Sequence, residues 1–158
     1  MLIESGDLWD AFTNGWHIVV TTNIGWDANG VNNMGAGVAL QAAIRFPDLP
    51  GWYGRRCRRT GASTGVIVHP ERRLILFPVK PLKLRCSADS WNQQADLGLI
   101  ELSCGQLADV LSGDSGMRVA MAFPGCGNGG LSKRAVRPIL EKSLGGFGAR
   151  LRVIDWAQ

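Results

Sequence analysis

The sequence has no long apolar run, and its first ten residues contain no basic side chain. A membrane-spanning helix requires roughly 18 or more consecutive apolar residues, and no stretch of the chain approaches that length. A secretory signal begins with a basic segment, whereas residues 1–10 carry acidic groups only. We therefore expect no membrane partner and a cytoplasmic location.

The chain also has few residues of the kind that build metal sites. Its four cysteines are Cys57, Cys86, Cys104 and Cys126, which are widely separated, form no C-x-x-C pair and have no histidine at ligand spacing. We therefore expect no zinc site, no disulfide framework and no cofactor. Cys126 lies inside a glycine-rich turn, and we interpret it as a small apolar residue that fits a tight loop. The alternative is a reactive thiol whose pKa is lowered by a helix N-terminus.

The composition is that of a globular protein, with 46% hydrophobic and 19% charged residues. We find no internal repeat, linker or low-complexity tract, and we expect a single domain over residues 1–158 that is monomeric. The net charge of +4 is concentrated in residues 55–59 and 72–73. Such basic clusters attract polyanions. We interpret this one as a solvated face, with a nucleic-acid contact as the alternative.

Strand-like and helix-like segments alternate along the chain, which favours an α/β fold with ligands at the loops beyond the strand ends. The predicted strands are residues 2–4, 15–22, 65–69, 74–77, 117–123 and 151–156. The predicted helices are residues 8–12, 35–46, 52–60, 97–111 and 136–144. Asp89 and Asp96 are expected near the start of the long fourth helix, where negative charge is favourable.

Two glycine-rich turns each follow a strand-like run and open onto a helix-like segment. They are Met34-Gly35-Ala36-Gly37 and Gly125-Cys126-Gly127-Asn128-Gly129-Gly130. Such turns let backbone N–H groups approach an anion, and the following helix adds its positive end. The first lacks the third glycine of a dinucleotide fingerprint, since Leu40 stands there, and the second lacks the Lys and Ser/Thr of a P-loop. The pair predicts a diphosphate held between two loops, but neither a dinucleotide dehydrogenase nor an ATPase.

Four segments together resemble the macrodomain family, whose members bind ADP-ribose and often hydrolyse ADP-ribose linkages. They are residues 5–8 (SGDL), 34–40 (MGAGVAL), 77–80 (FPVK) and 123–131 (FPGCGNGGL). The third is similar to the F-P-[TV]-K segment of the branch that includes the terminal ADP-ribose protein glycohydrolase and the DNA ADP-ribosyl glycohydrolase antitoxins. The resemblance implies a three-layer α/β/α fold with a central mixed sheet of about six strands.

The resemblance also implies roles for individual residues. Asp7 would accept a hydrogen bond from the adenine amino group, with an N-cap of the following helix as its alternative role. Asn23 would face the distal ribose, and the two glycine loops would hold the diphosphate and that ribose through backbone N–H groups. The residues implied to bind ADP-ribose are Asp7, Leu8, Asn23, Met34, Gly35, Ala36, Gly37, Val38, Gly125, Cys126, Gly127, Asn128, Gly129 and Gly130.

Lys80 is the residue that the resemblance assigns to catalysis. The matching lysine attacks the anomeric carbon of the distal ribose, which requires a partly neutral amine. Its partner acid or base is unassigned, because the chain has Leu131-Ser132-Lys133 where the antitoxin segment is typically Leu-Asp-Trp. Possible replacements are Asp27, Asn32, Asn33 or a water activated by the substrate's phosphate. We interpret the aromatic residues Trp26, Trp52, Tyr53 and Trp91 as core residues, with an aromatic wall for adenine or the distal ribose as the alternative.

The resulting hypothesis is a macrodomain that binds ADP-ribose and hydrolyses mono-ADP-ribose from acidic protein side chains or from DNA bases. Its partners would be ADP-ribose and ADP-ribosylated protein or DNA, and the basic clusters favour a DNA-repair setting. One alternative is a non-catalytic ADP-ribose reader with the same fold. Another is a nucleic-acid-binding protein that uses its arginine cluster.

Overall fold

The computed structural model describes residues 1–155, which form a six-stranded sheet with helices on both faces. The strands are β1 (Leu2–Ser5), β2 (His17–Asn23), β3 (Ile67–Val68), β4 (Leu74–Lys80), β5 (Val119–Ala122) and β6 (Leu151–Asp155). Their order across the sheet is β1-β6-β5-β2-β4-β3. Only β3 is antiparallel to its neighbour, so the sheet is mixed, as predicted. The last residue of the predicted final strand, Trp156, lies outside the described residues.

Helices cover both faces of the sheet, which gives the predicted three-layer architecture. They are α1 (Leu8–Thr13), α2 (Gly37–Arg45), α3 (Leu49–Thr60), α4 (Leu97–Gly113) and α5 (Lys133–Leu144). Successive side chains of a strand point to opposite faces. In β2, Val19 therefore packs with α4 and α5, whereas Ile18 and Val20 pack with α1, α2 and α3. No helix among the described residues is long and apolar enough to cross a membrane.

Most predicted elements exist, but several boundaries differ. β4 continues three residues past its predicted end, through Pro78 to Lys80. Proline has no backbone N–H to donate to a neighbouring strand. Its carbonyl oxygen can still accept, and that of Pro78 accepts from the Ser103 hydroxyl at 2.8 Å. Asp96 is the N-cap of α4, as expected, and its carboxylate accepts from the Leu99 amide at 2.7 Å. The expectation for Asp89 was wrong, because it lies in a separate short turn.

The carboxyl ends of β6, β5, β2 and β4 meet at one edge of the sheet, where parallel α/β folds place their ligand sites. A register shift between Thr22 and Asn23 puts Asn23 opposite Lys80 on the neighbouring strand. The loops that follow β2 and β5 lead into α2 and α5 at this same edge. The topology thus gathers both glycine loops and Lys80 in one place.

The first prediction concerns the contact between α3 and the loop after β2. A Cβ on Gly54 would lie 2.1 Å from the Gly30 carbonyl oxygen and 2.6 Å from the Asn32 nitrogen, which are backbone atoms that cannot yield easily. We expect Gly54→Ala to lower the free energy of unfolding by about 1–3 kcal/mol. Gly51→Ala is the control on the same helix, where the nearest atom is the end of the Arg55 side chain at 3.4 Å.

The control should be neutral or stabilising by up to about 1 kcal/mol, because alanine favours a helix over glycine. Urea unfolding of the two variants and the parent protein measures both effects. Equal stability of the two variants would contradict the close packing of α3 on this loop.

Candidate functional site

A cleft of about 660 Å³ lies between the two glycine loops. This volume is within the range of small-molecule sites. The cleft runs from Asp155 at the end of β6 to Lys80 at the end of β4, and three strand spacings of about 4.8 Å make this span roughly 14 Å. Its lining comes from the ends of four neighbouring strands and from both loops.

The cleft brings together most of the residues that the sequence predicted for the site. Those that line it are Asn23, Gly35, Ala36, Gly37, Val38, Lys80, Gly125, Cys126, Gly127, Asn128 and Gly129. Asp7, Leu8, Met34 and Gly130 do not line it. Leu8 and Met34 are buried in the core that α1, α2 and α3 share. Their roles as ADP-ribose contacts, and those of Asp7 and Gly130, stay predictions.

The first glycine loop presents the start of α2 to the cleft. Gly37 has a φ of +57°, a conformation that other residues adopt only with strain. The first-turn N–H groups of a helix have no acceptor within that helix. At α2 no side chain of the N-cap residue Ala36 accepts from them either. Because these groups carry the positive end of the helix dipole, this loop is suited to an anion.

The second glycine loop depends on glycine for packing as well as for backbone conformation. Gly125 has a φ of +74°, and a Cβ on it would lie 2.9 Å from the Ala95 side chain. A Cβ on Gly129 would lie 2.6 Å from the Gly125 carbonyl oxygen. That oxygen accepts a hydrogen bond from the Leu131 amide at 2.9 Å, which closes the loop. These contacts hold the loop against the segment that leads into α4.

Asn23 holds the loop after β2 in place through its side chain. Its Oδ1 accepts from the Gly25 amide at 2.9 Å and from the Asn32 side chain at 3.1 Å. Its Nδ2 donates to the Asn33 carbonyl oxygen at 2.8 Å. Asn23 thus lines the cleft and also sets the path of residues 23–33. Its predicted contact with the distal ribose stays a prediction.

Asp7 is the N-cap of α1, as its alternative role predicted. Its Oδ1 accepts from the Trp9 amide at 2.8 Å, and the residue is exposed. It follows β1, the strand that lies beside β6 at the Asp155 end of the cleft. The cap occupies one carboxylate oxygen. The predicted adenine contact would use the other.

Lys80 is a buried lysine at the opposite end of the cleft, with a fractional exposure of only 7%. Its Nζ donates to the Trp91 carbonyl oxygen at 2.7 Å, and among the described residues it forms no salt bridge. Burial lowers the pKa of Lys80 from its ordinary value of 10.5, because a buried site disfavours the charged form. This is the environment that a nucleophilic amine requires.

Of the three side chains considered as partners of Lys80, only Asn33 lines the cleft. The Asp27 carboxylate accepts from the Asn29 amide at 2.8 Å and the Val31 amide at 3.0 Å, within its own turn. Asn32 is 1% exposed, and its Nδ2 is used to hold the loop after β2. Asn33 is exposed, but an amide can orient a water molecule without acting as a base.

The environment of Cys126 argues against the reactive-thiol alternative. Partial burial raises the pKa of this thiol, and the nearby Lys133 only partly opposes that effect. The direction is opposite to the lowered pKa that the reactive-thiol alternative requires. Cys126 packs against the core that α4 and α5 share, as a small apolar residue would.

The sequence missed several lining residues, among them Trp91. We interpreted Trp91 as a core residue, but it is 42% exposed and lines the cleft beside Lys80. The alternative role of Trp91, an aromatic wall for adenine or the distal ribose, had no local signal to favour it, because the residue lies in an irregular loop. Lys133 and Asp155 also line the cleft and form an ion pair. Asp155 had a signal, since it stands at the carboxyl end of a predicted parallel strand.

The basic cluster divides into structural and exposed arginines. Arg72 pairs with Asp48 through two hydrogen bonds of 2.9 Å, and Arg73 donates to the Phe12 carbonyl oxygen. The exposed members on α3 are Arg55, Arg58 and Arg59. A second, shallower groove adjoins them, with three cationic side chains in its lining, which are Arg58, Lys83 and Arg85. The solvated-face interpretation therefore fits the exposed members only.

Solved macrodomain structures resemble this chain over nearly its whole length. The macrodomain of Mycobacterium tuberculosis DarG has a TM-score of 0.73 and 25% identity and covers 99% of this chain and 98% of its own. The macrodomain of Thermus aquaticus DarG has a TM-score of 0.73 and 24% identity, with 98% and 97% covered. Thermosipho africanus DarTG in complex with ADP-ribose has a TM-score of 0.71 and 19% identity, with 96% and 40% covered.

No family model matches the chain, and no curated protein sequence matches it. The fold assignment therefore depends on the structural likeness, which confirms the predicted macrodomain fold and the predicted resemblance to that family.

The second prediction concerns the protonation of Lys80. Its pKa in the folded protein lies below the value of 10.5 that it has in the unfolded chain. Between these two values the unfolded state binds more protons, so this residue makes the folded state more stable as the pH rises. The free energy of unfolding of the parent protein relative to Lys80→Met should therefore increase as the pH rises from neutral toward 10.5 and level off above that value. Urea unfolding at several pH values measures it, and a constant or falling difference would contradict the lowered pKa.

Proposed function

We propose that this chain, which has the macrodomain fold, binds ADP-ribose in the cleft and hydrolyses mono-ADP-ribose from modified acceptors. The observation that carries the proposal is the buried Lys80 amine, which forms no salt bridge with another described residue, at one end of a cleft bounded by two glycine loops. The bound ADP-ribose in the Thermosipho africanus DarTG structure supports the choice of ligand.

The dimensions and polarity of the cleft suit the parts of ADP-ribose. Its diphosphate would lie between the glycine loops, where the first-turn N–H groups of α2 have no acceptor within the helix. The adenosine would extend toward β6 and β1, near Asp7. The distal ribose would then lie at the other end, next to Lys80 and Trp91. A span of roughly 14 Å between strand ends suits a ligand with these three parts in this order.

Lys80 would act as the nucleophile in its neutral form. Its Nζ forms a bond to the anomeric carbon of the distal ribose, while the bond from that carbon to the acceptor breaks and its electron pair leaves with the acceptor. A water molecule then adds to the same carbon, and the bond to Nζ breaks with return of its electron pair to the amine. The net reaction consumes one water, whose proton goes to the acceptor and whose hydroxyl remains on ADP-ribose.

The absence of a carboxylate near Lys80 decides how the water is activated. Asp155 is the only acid among the described residues that line the cleft, and it lies at the far end. The diphosphate of the substrate would therefore supply the base, and Asn33 would orient the water. A neighbouring carboxylate would also stabilise the charged ammonium, so its absence keeps the amine nucleophilic.

The third prediction tests the nucleophile. Lys80→Ala should lower the release of ADP-ribose from a mono-ADP-ribosylated substrate by roughly a hundredfold or more, because the bond-forming group is removed. Binding of free ADP-ribose should change only a few-fold. Opening of the ribose ring converts the lysine-linked intermediate into an iminium, which sodium cyanoborohydride reduces, so this reagent should trap a covalent adduct on the parent protein that mass spectrometry locates at Lys80. Lys142→Ala, an exposed lysine on α5 outside the cleft, is the control and should behave as the parent protein.

Two results separate this proposal from its alternatives. A parent protein that binds ADP-ribose but releases none from any substrate is a reader and not an enzyme. Activity of Lys80→Ala equal to that of the parent protein would refute the assignment of the nucleophile.

The surface beyond Lys80 favours a DNA base over an acidic side chain as the acceptor. The exposed Trp91 ring stands at the cleft end where the acceptor would emerge. Aromatic rings stack on bases regardless of sequence, and cationic side chains contact the phosphates of the strand. The second groove supplies such side chains from the loop between β4 and Trp91, together with Arg58 of α3. An ADP-ribosylated base would thus find a stacking surface next to a cationic path.

The fourth prediction tests this acceptor. Trp91→Ala should lower kcat/KM for an ADP-ribosylated oligonucleotide by roughly tenfold, the equivalent of one lost base stack. Trp91→Phe should restore most of it, because phenylalanine keeps an aromatic face for stacking. Both variants keep the backbone contact to Lys80. An ADP-ribosylated glutamate peptide should be cleaved equally by all three proteins. Equal effects of Trp91→Ala on both substrates, or an oligonucleotide rate that does not fall with added salt, would contradict a nucleic-acid acceptor.

A further inference from the structure

We propose that Lys133 is the cation that binds the ligand's diphosphate from the adenosine side of the cleft, and that Asp155 holds its ammonium at the cleft wall. This inference rests on the proposed function. It adds a subsite that the sequence did not predict.

The position of the pair supports a ligand contact. Lys133 is the first residue of α5, directly after the second glycine loop, and Asp155 ends β6. Their ion pair joins Nζ to Oδ1 at 2.5 Å, and both side chains line the cleft. The Lys133 ammonium lies 5.9 Å from the centre of the Phe123 ring, which is also part of the lining. The pair is therefore placed across the end of the cleft where adenosine would lie.

Helix stability does not explain a lysine at this position. Positive charge at a helix N-terminus opposes the helix dipole, and α5 has no acidic residue in its first turn to offset it. Ser132 already caps the helix, since its hydroxyl accepts from the Ala135 amide at 3.2 Å.

Few charged side chains line the cleft, which makes Lys133 the cation that can bind an anionic ligand there. Among the described lining residues there are two lysines, Lys80 and Lys133, and one carboxylate, that of Asp155. Lys80 is assigned to the distal ribose, so Lys133 is the cation available to a diphosphate between the loops. Its ion pair is half-exposed, with side-chain exposures of 45% and 39%, and exposed pairs contribute little. The ammonium can therefore exchange the carboxylate for a phosphate at small cost, and it gains charge-assisted hydrogen bonds.

The test must separate direct binding from simple neutralisation of Asp155. Removing Lys133 alone would leave an unpaired carboxylate that repels the diphosphate. The comparison is therefore between Asp155→Asn and the double variant Asp155→Asn/Lys133→Ala, since no acid remains in that background. Calorimetry measures the affinities for ADP and ADP-ribose, and NMR titration measures the affinity for adenosine.

Removal of Lys133 in the D155N background should weaken ADP and ADP-ribose alike by roughly tenfold, as for the loss of one charge-assisted contact. Adenosine, which has no phosphate, should change less than twofold. Lys142→Ala, which removes a paired lysine elsewhere on α5, should leave all three affinities unchanged. Thermal unfolding of each variant reports separately on the link between α5 and β6.

Two results would overturn the inference while the proposed function stands. Equal ADP affinities in the presence and absence of Lys133 in the D155N background would show that it only neutralises Asp155. An equal loss of affinity for adenosine in that background would show that removal of Lys133 alters the cleft as a whole and not a contact with the diphosphate. Failure of the parent protein to bind ADP or ADP-ribose would instead refute the proposed function, and this inference with it.

Discussion

The parallel pairing of β2 with β4 is the contact on which the candidate site depends. The register shift at its end sets Asn23 opposite Lys80. Asn23 then fixes the loop after β2 through three hydrogen bonds, and this loop leads to the first glycine turn and to α2. A different register would turn the Lys80 side chain toward the other face of the sheet. The alignment of two strand ends thus determines both the position of the amine and the course of the first glycine loop.

A buried amine without a carboxylate is the second constraint. Lysine is rarely buried unless it is paired, because removal of its charge from water is costly. Among the described residues, Lys80 has only the Trp91 carbonyl as a hydrogen-bond partner, and burial lowers its pKa. The Trp91 segment is itself held by close packing, since a Cβ on Gly25 would lie 2.0 Å from the Ser87 carbonyl oxygen. The packing of the fold therefore keeps the Lys80 amine in a buried environment, which disfavours its charged form and which a nucleophilic amine needs.

Much of the fold followed from the sequence, because its signals are local. The apolar run of β2, which buries both faces of the strand, and the apolar positions of α4, which bury one face of the helix, are each properties of a single element. The site was harder to predict. Its glycine loops and Lys80 have local signatures, whereas Trp91 and the Lys133–Asp155 pair come together only through tertiary structure. The end of β4 was missed for a physical reason, since Pro78 has no N–H for a central strand. Within the described part of the chain, β3 pairs with β4 only at Ile75 and Leu76, so one side of β4 has no partner strand at Pro78.

A crystal structure of the protein with ADP-ribose tests the central claim most directly. The account predicts the diphosphate between the two glycine loops and the anomeric carbon of the distal ribose within about 3–3.5 Å of the Lys80 Nζ, the distance of a reactive approach. The adenosine should extend toward Asp155 and Lys133. A ligand in the reverse direction, or a distal ribose far from Lys80, would contradict the assignment of this cleft as the site of hydrolysis.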